Sequence, residues 1–194
     1  MMHTAELLQV FAAYRGDAIV ISGRGGRHWI GLSDTALDLP LGDPAMGGHA
    51  GFGLGLALAR PDKRVVLFDS EGDLLMSLGQ LPTIAEQAPE NFYHFVLDNE
   101  VYATTGGQPV PNAKHVDYAM IARGAGYPRA MNIAELDEFR TVLPGILAAP
   151  GPIFVSLKVF PEVENTPIGQ RVRWRKRGAD KVVSDLRVAL GVDS

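Results

Sequence analysis

A mostly parallel α/β sheet with helices on both faces is the fold class predicted by this chain of 194 residues. Three observations predict it. Short, nearly uninterrupted apolar runs at 18–21, 64–69, 92–98 and 152–159 have the composition of strands covered on both faces. Stretches of helical periodicity alternate with them, as in crossover-connected strands. The second and third runs end in acidic or amide turns, at the edge of an open sheet where ligands collect.

Taken in order, Thr4 is placed to cap a first helix reaching about Arg15, with Leu7, Leu8, Val10 and Phe11 as its apolar stripe. Ala18 to Ile21 is the first strand. Gly23 to Pro44 is glycine-bearing and without clear periodicity, and a loop of that length in a compact domain is usually functional or mobile. Met46 to Arg60 reads as a helix despite Gly47, Gly48, Gly51, Gly53 and Gly55. Interior glycines cost about 1 kcal/mol each relative to alanine, so this helix is expected to face a close neighbour, another backbone or a ligand.

Arg64 to Asp69 is then a strand, Leu74 to Gln87 a helix and Phe92 to Asp98 a strand. After a loop over 99–115 come helices at Val116–Ala125 and Glu135–Ala148 and a last strand at Pro152–Val159. Residues 1–165 are expected to form one α/β domain. Residues 166–194 form a basic arm and a short amphipathic helix (Val182, Leu186, Leu190) that pack on the domain or on a partner. Six of the 18 basic residues fall between Arg171 and Lys181. A solvated arm or a partner-packing surface is the first reading of that run, with phosphate or nucleic-acid contact as the alternative.

Composition narrows the function. A hydrophobic fraction of 46% with 21% charged residues supports a substantial core and gives no bias toward disorder. A net charge of -4 offers no global attraction for nucleic acid. The absence of cysteine excludes disulfides and thiolate metal sites. The first residues carry Glu6 in an amphipathic pattern, unlike a signal peptide, and no apolar run approaches the roughly 20 residues needed to span a bilayer. A cytoplasmic location is expected.

Two turns carry the chemistry. Ser70-Glu71-Gly72-Asp73 follows one strand and opens a helix, and Asp98-Asn99-Glu100-Val101-Tyr102 follows the next, with Glu71 and Asn99 separated by 28 positions. Hard oxygen ligands beside a helix N-terminus suit a magnesium-bound diphosphate. Each turn alone has a plainer account, helix capping by Ser70 or Asp73 for the first and an Asx turn for the second. Together, and followed by Thr104-Thr105-Gly106-Gly107-Gln108, they form a pattern with little chance of arising twice by accident. His28 and His49 lie in segments near the same edge and could move protons, whereas His94 and His115 look structural. Gly51-x-Gly-x-Gly follows no strand directly, and Gly23-x-Gly-Gly lacks the acidic residue of a dinucleotide site, so a Rossmann redox enzyme is set aside.

The segment 65–108, with LLMSLGQL, VLDNEVY and TGGQ, resembles the diphosphate-binding domain of thiamine diphosphate-dependent enzymes. Within them it is similar to the β subunit type of the sulfopyruvate and phosphonopyruvate decarboxylases. The resemblance covers about Ile19 to Val159. It implies a magnesium site of Glu71, Asn99 and the carbonyl of Val101. It places Gly25, Gly26, Gly72, Asp73 and Thr105 near the diphosphate, Met46 as the apolar buttress under the bent cofactor, and the Pro44 carbonyl opposite the aminopyrimidine.

It further implies decarboxylation of a 2-oxo acid, an anionic substrate tail that Arg24 or Arg27 could contact, and a separately encoded pyrimidine-binding subunit that supplies the activating glutamate. The chain departs from the family at the first turn, where Ser-Glu-Gly-Asp replaces Gly-Asp-Gly-Ser or Gly-Asp-Gly-Ala. Glu71 reaches one methylene further than aspartate, and Asp73 brings a second negative charge toward the diphosphate. A subunit that kept the fold for binding or regulation is the alternative, as is another enzyme of phosphorylated ligands.

Overall fold

The computed structural model describes residues 1–41 and 46–192. Six parallel strands form one sheet in the order β2 (Asp38–Pro40), β1 (Ile19–Ser22), β3 (Val65–Ser70), β4 (Phe92–Asp98), β8 (Ile153–Lys158) and β7 (Arg129–Ile133). The four central strands are the apolar runs of the sequence. Every residue of β1 and β4 is buried, as expected where helices cover both faces.

Alternation along the strands splits the core in two. One face carries Val20, Val66, Phe68, Phe95, Leu97 and Val155. It packs against Leu7, Leu8 and Phe11 of α1 (Thr4–Ala12), Trp29 of α2 (Trp29–Leu32), and Phe139, Leu143 and Leu147 of α7 (Leu136–Ala148). The other face carries Ile19, Ile21, Val65, Leu67, Val96 and Phe154. It is covered by α3 (His49–Ala59), α5 (Gln80–Gln87), α6 (Tyr118–Gly124) and α8 (Ala179–Ala189). The C-terminal helix thus packs on the domain itself, burying Val182 and Leu186 in this second cluster.

Several boundaries differ from the sequence reading, each for a local reason. Thr4 does not cap α1. Met2 donates its N–H to the Lys158 carbonyl and accepts from Phe160 N–H, which holds the chain extended beside β8 until His3 becomes the N-cap. The stretch from Gly23 onward contains α2 and β2, both too short to show periodicity. β2 is anchored by side chains: Asp38 accepts from Trp29 Nε1 (2.8 Å), Ser33 Oγ (2.6 Å) and Arg15 (3.1 Å).

The helix expected at 74–87 is two helices, α4 (Glu71–Met76) and α5. Pro82 explains the break, because its ring has no N–H and would collide with the Leu78 carbonyl in a continuous helix. The loop 99–115 contains a small hairpin, β5 (Val101–Tyr102) with β6 (Gln108–Pro109). The edge strand β7 escaped the sequence reading because it is only partly buried and carries the polar residues Arg129 and Asn132, both exposed.

The glycines of α3 have an intrachain explanation in part. A Cβ at Gly53 would lie 2.7 Å from the Phe92 ring, so the close approach is of helix to sheet. Gly55 meets nothing within 4 Å, while Phe52 and Leu58 on the same helix are 40% and 49% exposed. Around Gly55 that outer face has no neighbour among the described residues, while Gly51 lies against Gln80.

Candidate functional site

Because all six strands run parallel, Ser22, Ser70 and Asp98 end three neighbouring strands at one edge of the sheet. The loop after β1 folds over the next two: a Cβ on Gly25 would lie 3.5 Å from Leu97 Cδ1 and 3.8 Å from Ser70 Cβ. Gly26 is wedged between Ser22 and Phe68. The result is a shallow cleft bordered by Arg24, Gly25, Met46, Gly72, Asp73, Asn99, Val101 and Thr104.

The turn after β3 holds two acids with opposite fates. Ser70 is the N-cap of α4, its hydroxyl accepting from Asp73 N–H at 3.3 Å. Glu71 is 0% exposed, and among the described residues neither carboxylate oxygen has a hydrogen-bond partner of normal geometry. Burial pushes its pKa up to about 8, against the opposing pull of backbone N–H groups at Glu71, Asn99 and Val101. Asp98 adds a repulsive charge. A buried carboxylate left so is costly unless a cation joins it.

Asp73 is compensated. Its oxygens accept from Gly47 N–H (3.1 Å) and His49 Nδ1 (3.1 Å). Gly47 itself has φ 75°, and a Cβ there would lie 2.8 Å from Ser77 Oγ, so only glycine suits this turn beside Met46. The second negative charge of the turn is thereby committed to the Met46–Gly47 segment.

Behind this pair runs a buried network. Asp69 Oδ2 accepts from His94 Nε2 at 3.2 Å, Asp69 Oδ1 lies 3.6 Å from His49 Nδ1, and His94 Nδ1 lies 3.4 Å from Tyr127 Oη. Burial works against charge on His49, but the hydrogen bonds and charges of Asp69 and Asp73 outweigh it and push the imidazole up to about 10. Burial would likewise raise Asp69, and His49 and His94 instead hold it down to about 2. His49, Asp69 and Asp73 bring three ligand atoms within 4.8 Å of one another.

The turn after β4 is largely self-satisfied. Asn99 Oδ1 accepts from Val101 N–H at 3.0 Å, Asp98 Oδ1 accepts from Glu100 N–H at 3.3 Å, and Lys158 Nζ lies 2.8 Å from Asp98 Oδ2. Glu100 adopts φ 67°, a left-handed conformation unusual for a residue with a side chain and frequent at functional turns.

Of the residues singled out in the sequence, Gly25, Met46, Gly72, Asp73, Asn99 and Val101 border the cleft, with Glu71 buried beneath and His49 at its wall. Thr105 is exposed and bonds the Tyr102 carbonyl (3.3 Å) and Gln108; its neighbour Thr104 borders the cleft. His28 and Arg27 are both tied to Glu162. Pro44 lies outside the described residues. Sequence reasoning missed Asp69, whose signal was a lone acid closing the run VVLFD, and Tyr102, whose ring covers Gly72 at 3.0 Å from a Cβ built there.

A parallel sheet with glycine, acid and amide turns at its carboxyl edge defines a diphosphate-binding α/β domain. Residues 33–157 match the family described as thiamine pyrophosphate enzyme, C-terminal TPP binding domain, and the chain belongs to it. It is 37% identical to the sulfopyruvate decarboxylase subunit beta of Methanothermobacter thermautotrophicus, over 87% of this chain and 88% of that one. It is 42% identical to the phosphonopyruvate decarboxylase of Streptomyces hygroscopicus over 60% of this chain, a match that spans 29% of the longer relative. Among solved structures, a thiamin diphosphate-dependent enzyme from Mycobacterium smegmatis superposes with a TM-score of 0.67 at 21% identity, covering 82% of this chain and 32% of that one. No described helix is long and apolar enough to cross a membrane.

Proposed function

We propose that this chain is the diphosphate-binding subunit of a thiamine diphosphate-dependent 2-oxo acid decarboxylase, acting on sulfopyruvate- or phosphonopyruvate-like substrates with a pyrimidine-binding partner. The observation that carries the reading is the Glu71 carboxyl, buried beneath the Asn99–Val101 turn with neither oxygen in a hydrogen bond of normal geometry to a described residue, in a chain of this family. Its chemistry fits magnesium, a hard cation that takes oxygen ligands and keeps phosphate partners. Glu71, Asn99 Oδ1 through its second lone pair, and the Val101 carbonyl would hold the metal. When bound, thiamine diphosphate supplies the electron sink for loss of carbon dioxide.

The chain's own residues bind and orient. Gly25 and Gly72 let the backbone come close, Met46 offers an apolar support, and His49 keeps the Asp73 charge from facing the diphosphate. The cleft of this chain alone encloses about 60 Å³, far below the roughly 300 Å³ of a complete small-molecule site. That shortfall, the exposed Met46, Phe52, Leu58 and Met76, and the subunit name of the Methanothermobacter relative support a site completed by a partner.

Calorimetric titration of the chain, alone and with its co-purified partner, tests the reading. Magnesium-dependent binding of thiamine diphosphate and release of carbon dioxide from 3-sulfopyruvate or 3-phosphonopyruvate are expected. No cofactor binding under either condition would sink it.

A further inference from the structure

The basic run near the C-terminus is folded against the mouth of the cleft, pinned at both ends. Arg177 bonds Asp34 (2.9 Å), Asp185 (3.1 Å) and the carbonyls of Thr35 (2.7 Å) and Asp38 (3.0 Å). Arg171 bonds the carbonyls of Thr166 (2.7 Å) and Thr104 (2.8 Å), and Thr104 itself borders the cleft. Between these anchors the segment walls a cavity of about 500 Å³, within the range of small-ligand sites.

Arg24 is shared. It lines this cavity and also borders the cleft with Gly25, Met46 and Asn99. The other lining cations are Arg171, Arg173, Arg175, Lys176 and Arg177, and no acidic side chain is among the described lining residues. Carboxylates neutralise Arg177, whereas the hydrogen bonds of Arg171 and Lys176 to described residues go to carbonyl oxygens. Arg173 and Arg175 have no hydrogen bond or ion pair with any described residue. Arg173 and Arg175, with Arg171 beside them, present the forked guanidinium geometry that matches a tetrahedral oxyanion. The concavity, in a chain of net charge -4, favours a small molecule over a nucleic acid.

We propose that this cavity takes the terminal sulfonate or phosphonate of the 2-oxo acid, so that the C-terminal segment sets preference for substrates with an anionic tail. The inference rests on the function proposed above. One guanidinium, Arg24, spans the junction, which lets a short substrate present its tail to the segment and its keto group to the cleft. Trp174 lines the cavity, while the chain's other tryptophan, Trp29, is buried, so a fluorescence change reports on this place.

The test uses the full chain with its partner, magnesium and thiamine diphosphate, and compares wild type with the double variant Arg173→Gln/Arg175→Gln. The ratio of kcat/KM for 3-phosphonopyruvate over pyruvate is expected to fall about tenfold or more, mainly through KM for the charged substrate. In parallel, phosphonoacetate should give a saturable Trp174 signal in wild type that weakens about tenfold in the variant, with inorganic phosphate as the second titrant. An unchanged ratio overturns the proposal, as does a saturable signal from phosphate equal to that from phosphonoacetate, which would mark a general anion site. If neither 2-oxo acid is turned over, the decarboxylase reading fails, and the titrations alone decide whether the cavity takes a phosphonate.

Discussion

The turns after β3 and β4 are built from the same materials and finished differently. In the second, nearly every polar group has a partner: Asn99 caps its own turn and Lys158 neutralises Asp98. In the first, Asp73 is fully engaged while Glu71, two residues earlier, has no hydrogen-bond partner of normal geometry among the described residues and feels only the pull of nearby backbone N–H groups. The contrast teaches that one turn is a finished frame and the other an unfinished socket. The cost of burying an ionisable group is concentrated on a single side chain, which burial holds toward its neutral form and which a bound cation would favour as the carboxylate.

The sharpest way to break the contrast is to remove that charge. Glu71→Gln should raise the stability of the ligand-free chain by about 1–3 kcal/mol near neutral pH, since a carboxyl whose raised pKa costs stability above its ordinary value is replaced by a permanently neutral group. It should also abolish the stabilisation that magnesium and thiamine diphosphate give the wild type. Thermal unfolding with and without the ligands reads both effects, and a ligand-free variant less stable than wild type would contradict the socket.

His49 offers the next largest effect. Its folded-state pKa, pushed from 6.5 to about 10, lies above the unfolded value. The stabilisation is therefore complete below pH 6.5 and lost as pH rises through about 10, by an amount on the order of a few kcal/mol. Urea unfolding between pH 6 and 10 should show this decline in the wild type and a flatter profile in His49→Gln.

Asp73→Asn keeps the shape of the compensated acid and removes its charge. A loss of about 1–2 kcal/mol is expected, smaller when His49→Gln is already present, and a double-mutant cycle measures the coupling. Additive losses would show that the two side chains do not act as a pair. In the finished turn, Asn99→Ala should cost about 0.5–1.5 kcal/mol through the lost Val101 hydrogen bond. Its magnesium dependence should nonetheless weaken, which calorimetry detects.

Legibility in the sequence followed continuity along the chain. β4 was readable to the residue because seven consecutive positions are buried. β2 and β7 were not, since edge strands are short or half polar and draw their definition from neighbours such as Trp29 and Asp38. Glu71, Asn99 and Val101 were visible because each sits in a turn with a local pattern. The Asp69–His94–His49 network was invisible because it crosses from β3 to β4 and α3, and only the register pairing Leu67 with His94 brings its members together. The orientation of Asp73 was equally beyond sequence, for a rotamer and a glycine turn decide it.

Strand order also has a consequence for how the polypeptide acquires its shape. No neighbouring pair in the six-stranded sheet can close as a hairpin, because all five junctions are parallel. Each waits on a crossover, and assembly dominated by such distant pairings is slow. The junction with the shortest connection among the four central strands is β3 to β4, bridged by α4 and α5 alone. Nucleation there would set the Glu71 and Asn99 turns side by side early, so the geometry proposed to hold the ion is among the first long-range features the nascent chain can hold.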